Sequence, residues 1–129
     1  MSHQVKLSTL WIFVTLNYLY CDVIGLMDST ILNQYLTGNV DGLELTQEFL
    51  FWGAILMEIP IAMILLSRLL PQPSNRWANM IAAAIKTVAM IATLFLGVPT
   101  GYYMFFAIIE IGTTAYIIWY AFNWKTQNR

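Results

Sequence analysis

Residues 54–66 read AILMEIPIAMILL, an apolar run broken by one carboxylic acid, Glu58. Extended outward, the run covers Leu45–Leu69. That is long enough to cross a hydrocarbon core of about 30 Å at about 1.5 Å per residue. Three more runs of that kind follow the same reading: Leu7–Met27, Trp77–Val98 and Tyr102–Trp124. None alternates with period 2, so closed barrels of short strands are disfavoured and helices are expected. The first run is too long for a cleavable signal, carries Asn17 and Asp22, and has no small-x-small cleavage site.

Composition agrees. Of 129 residues, 59% are hydrophobic, 15% aromatic and 10% charged. Soluble domains hold nearer a quarter charged residues. Mean hydropathy is +0.64. The expectation is one all-α integral membrane domain over residues 1–129, a four-transmembrane-helix bundle in contact with the lipid bilayer. A net charge of −1 with no basic stripe excludes nucleic acid as a partner.

Lys6, Arg68, Arg76, Lys125 and Arg129 flank the spans on one side, while Asp28, Asp41, Glu44 and Glu48 gather around the first loop. The positive-inside rule then places the N and C termini in the cytoplasm, as expected of a multi-pass protein of the inner (plasma) membrane. The first loop, DSTILNQYLTGNVDGLE, reads as a short external helix between helices 1 and 2. Ile31, Leu32, Tyr35 and Leu36 share one face, and Gly38 stops it. Asp41 and Glu44 have capping-box spacing for helix 2. Pro71 and Pro73 should end helix 2, with Ser74 or Asn75 capping helix 3. GVPTGYY reads as a tight turn.

The polar residues inside the spans carry the functional reading. Asn17 and Lys86 lie about 15 and 14 Å from the inner ends, and Glu58 and Glu110 about 20 and 12 Å from the outer ends. Four helices thus contribute to one mid-membrane layer, with Asp22 higher in the outer half. Each such charge costs roughly 2.5–3.5 kcal/mol to insert, so these groups should face inward and pair. Small residues support this. Ala78, Ala82, Lys86, Ala89 and Thr93 form a helix-spaced stripe that permits close approach, and Tyr18 accompanies Asp22. Lys86 can neutralise one of Glu58 and Glu110; the other must be protonated, bind a cation or be reached by water. Glu58, Glu110, Lys86, Asp22, Asn17 and Tyr18 are therefore the candidate ligand-binding residues. The expected role is binding or transport of a small amphipathic ligand or a proton, with a homo-oligomer or another membrane subunit as partner. Pro60 frees the Leu56 carbonyl beside Glu58 and adds polarity there.

Catalytic chemistry has little to stand on. Cys21 is the only cysteine and His3 the only histidine, so no CxxC, no disulfide within the chain and no His-based triad is available. No phosphate-binding loop occurs, and no metal or catalytic residue is assigned.

The helix GAILMEIPIAMILLSRLLPQPSNR, residues 53–76, resembles the second helix of the DoxX-like superfamily of small four-helix bacterial membrane proteins. The flanking LSTLWIFVTLNYLYCDVIGLMD and FFAIIEIGTTAYIIWYAFNW extend the likeness to an uncharacterised family of this length within that superfamily. The resemblance implies the four-helix fold, with Glu58 as the shared acid. It also brings an alternative, a quinone-binding membrane subunit of a redox complex, in which quinone would be the one cofactor. A further alternative is a structural or regulatory partner closed by a Glu58–Lys86–Glu110 tie. Small multidrug exporters share size and helix number, but place their glutamate in helix 1 and lack a buried lysine.

Overall fold

The computed structural model describes residues 2–40, 43–95 and 100–124. Among the described residues its regular elements are helices, apart from one two-residue ladder. Four long helices are α1 (His3–Met27), α3 (Gln47–Leu69), α4 (Gln72–Leu94) and α5 (Gly101–Phe122), and all four are long and apolar enough to cross a membrane. The short helix α2 (Ser29–Thr37) follows α1, and β1 (Asn39–Val40) pairs antiparallel with β2 (Leu43–Glu44) ahead of α3.

The expected first-loop helix is present. Asp28 caps α2 by accepting from the Thr30 amide at 3.1 Å. Gly38 ends it at φ 79, a left-handed conformation that only glycine adopts cheaply. Two capping expectations are corrected. Thr46 caps α3, its hydroxyl accepting from the Phe49 amide, because Glu44 is held in the ladder two residues before that cap; Asp41 lies outside the described residues. The helix α4 begins at Gln72, with Pro73 in its first turn, five residues before the expected start. Proline's fixed φ suits a first turn and its missing amide proton costs nothing there. The turn residues 96–99, and Lys125 and Arg129, also lie outside the described residues.

α1 packs on α3 and α5, and α4 packs on α5 and α3. One end of the assembly gathers the start of α1, the α3–α4 connection and the end of α5, and its side chains cap exposed helix carbonyls. Gln4 donates to Leu70 O at 2.8 Å, and Asn75 donates to Ser67 O at 2.7 Å. Arg76 donates to Ala121 O and Phe122 O, both at 3.0 Å, closing the last turn of α5. His3 completes this end, hydrogen-bonded to the Tyr120 hydroxyl at 2.6 Å and stacked on Trp124.

Above these caps lies the packed core: Leu7, Trp11, Val14, Met63, Ala82, Ala83 and Ile117. Its polar members are satisfied. Trp11 Nε1 donates to Asn79 Oδ1 at 2.7 Å, Ser67 donates to the same oxygen at 3.3 Å, and Asn79 donates to Asn75 O at 2.8 Å. Ser8 donates to Ile64 O at 2.7 Å.

Candidate functional site: an ionisable cavity between four helices

A cavity of about 160 Å³ is lined by all four long helices. α1 supplies Tyr18, Cys21 and Asp22; α3 supplies Leu56 and Met57; α4 supplies Lys86, Ala89, Met90 and Thr93; α5 supplies Tyr103 and Glu110. Helical spacing explains the choice. Tyr18, Cys21 and Asp22 recur at three and four residues, as do Lys86, Ala89, Met90 and Thr93.

Glu110 is the decisive group. It is 1% exposed, and neither carboxylate oxygen has a hydrogen-bond partner. Lys86, 4% exposed, does not supply one. Its ammonium sits 4.2 Å from the Tyr18 ring centroid, a cation–π contact, and donates to Met57 Sδ at 3.7 Å. The walls around them are pinned. Thr114 donates to Glu110 O at 3.1 Å and shares a 2.7 Å hydrogen bond with Thr87, tying α5 to α4 beside the carboxylate. Tyr103 donates to Thr93 Oγ1 at 2.6 Å across the same helix pair. Asp22 is exposed and forms the rim on α1. Nearby, the Tyr102 hydroxyl donates to Asp28 Oδ2 at 3.1 Å, fastening the start of α2 to α5.

The structure brings together four of the six residues read from the sequence: Tyr18, Asp22, Lys86 and Glu110. It does not bring Glu58 or Asn17 there. The inward stripe of α3 is Pro60, Met63 and Ser67, continued by Leu56 and Met57. At about 100° per residue, Glu58 falls about 160° from Pro60, so its side chain is exposed on the outer face. Asn17 donates to the Phe13 carbonyl at 2.9 Å and borders a separate apolar groove with Phe13, Leu16, Tyr20, Ile24 and Phe106. The closed Glu58–Lys86–Glu110 tie is therefore not formed. Sequence reasoning missed Cys21, Met57, Met90 and Tyr103, whose apolar or aromatic character does not set them apart from core. It also missed the satisfied Asn75–Asn79 cluster, although that pair extends the Lys86 stripe at helical spacing.

The donor set says what the cavity can take. Among the described residues no group of three or more His, Cys, Asp and Glu side chains is arranged to hold a metal ion. A volume of this size holds about five waters at ~30 Å³ each, below the ~300 Å³ at which drug-sized ligand pockets begin. Carboxylate, ammonium and phenol groups on its wall suit a small polar or charged occupant.

Fold and cavity together define a class: a helical protein with four membrane-length spans and an ionisable cavity between them. Within it, the chain belongs to the family of unknown function DUF6326, whose pattern matches residues 2–129. No curated protein and no solved structure matches the chain.

Proposed function

We propose that this is a four-helix membrane bundle that binds, and in cycling passes, a small ligand or a proton through the Glu110–Lys86 cavity. The observation that carries the reading is Glu110, fully buried with two unpartnered oxygens facing a cavity. A buried carboxylate without partners is costly in hydrocarbon, and natural proteins keep such groups where an occupant satisfies them. The satisfied polar core toward the chain ends and the rim at Asp22 support access from the α2 side. Lys6, Arg68 and Arg76 support a cytoplasmic location for the termini end in the plasma membrane. The outward Glu58 supports self-association, because mid-span lipid offers a carboxyl nothing to pair with. Kinship with DoxX-like proteins rests on the helix pattern around Glu58 and stays part of this proposal.

Cys21 provides the test. It is the only cysteine, and it lines the cavity. In nanodiscs, a small hydrophilic maleimide should modify Cys21 in the folded protein. If Cys21 stays unmodified even at alkaline pH, where a buried thiol can ionise, yet reacts fully after denaturation, the cavity is sealed and the binding reading falls.

A further inference from the structure

The charges facing the cavity narrow what it holds. α1 contributes Asp22 together with the neutral Tyr18 and Cys21; α4 contributes Lys86; α5 contributes Glu110 and the neutral Tyr103; α3 contributes only Leu56 and Met57. Two carboxylates and one ammonium leave the ionised site one positive charge short of neutrality. A proton on Glu110 supplies that charge. A monovalent cation supplies it equally well. A divalent cation would overshoot, and an anion would deepen the deficit.

Geometry favours the carboxylate as the place where the exchange occurs. Lys86 is engaged by the Tyr18 ring and Met57 and leaves both Glu110 oxygens unpartnered. A fixed lysine beside an acid usually neutralises it by direct pairing; here it offsets one charge of the pair while the second acid keeps its acceptor capacity. The cavity volume of about 160 Å³ accommodates a partly hydrated alkali ion or a small ammonium compound.

We propose that the cavity is a monovalent-cation site in which the cation and the Glu110 proton exclude each other. This deepens the cavity reading and rests on it. In the exchange, the Glu110 O–H bond breaks, the proton leaves to water, and the cation takes its place against the carboxylate. The site is neutral before and after, which matters where uncompensated charge is expensive.

The test is proton release from the detergent-solubilised protein in weakly buffered solution, on adding sodium, potassium or methylammonium chloride. The expected result is about one proton per chain with at least one of these salts, and none beyond the ionic-strength blank with choline chloride, whose cation is too large. Glu110→Gln should abolish the release. Should that variant not fold, Asp22→Asn serves: it removes the charge deficit at an exposed position, and cation affinity should fall at least about thirtyfold. Lys86→Gln doubles the deficit, so magnesium or calcium should then release protons. If Cys21 is reachable but no monovalent cation releases a proton, the cation inference is overturned and the cavity reading stands. Equal release by divalent salts from the unaltered protein overturns it as well. If Cys21 is sealed, the cavity reading itself has failed.

Discussion

Asn79 and Glu110 are both polar and both buried, at 0% and 1% exposure, yet they do opposite things. Asn79 joins Trp11, Ser67 and Asn75 in a filled network. Glu110 joins nothing. Asn79→Ala should therefore destabilise the protein by about 1–3 kcal/mol, the cost of leaving the Trp11 donor and its neighbours unsatisfied. Glu110→Gln should leave stability unchanged or raise it, since the fold pairs neither carboxylate oxygen and loses no contact with it. Unfolding of both variants by denaturant in mixed micelles checks the pair. A strong loss for Glu110→Gln would make that residue structural. The sequence made Glu110 and Lys86 conspicuous because ionisable residues in apolar runs stand out. It could not separate the satisfied asparagines from the unsatisfied acid, because satisfaction depends on atoms from other helices.

At the scale of elements, α2 brings Tyr35 near Asp22 and Cys21 of the cavity wall. Burial, with the Asp22 carboxylate and then the Cys21 thiol behind it, holds the Tyr35 phenol above its ordinary range, although the residue is 40% exposed. A phenol whose docked value is raised contributes its stabilisation fully below the ordinary value of about 10 and loses it as pH rises through the higher, docked value. An absorbance titration of the unaltered protein minus that of Tyr35→Phe should show one phenol ionising later than free tyrosine. Ionisation at the ordinary value would mean that α2 does not pack beside Asp22. α2 itself was legible in the sequence, from its apolar face and its stop at Gly38. The start of α4 was not: proline signals both the end of one helix and the first turn of the next, and the interhelical bonds of Asn75 decide how tightly the two are joined.

Across the whole molecule, one half is a packed end with a hydrogen-bonded polar network and the other holds the cavity between the four long helices. Glu58 lies on neither, so Glu58→Gln should leave cation-driven proton release unchanged. If self-association covers that face, Glu58→Leu should shift the protein toward smaller species in light scattering of the purified detergent complex, and an unchanged mass would show that Glu58 contributes nothing to assembly. The sequence by itself determined the four membrane-length helices and the short helix after the first, because hydropathy, length and local capping are properties of a segment and its neighbours. Only the tertiary structure decided that Glu58 points out while Met57 points in, and that Lys86 rests on Tyr18 and leaves Glu110 without a partner. In apolar helices almost every face is greasy, so the rotation of each helix is set by packing against the others and not by its own pattern.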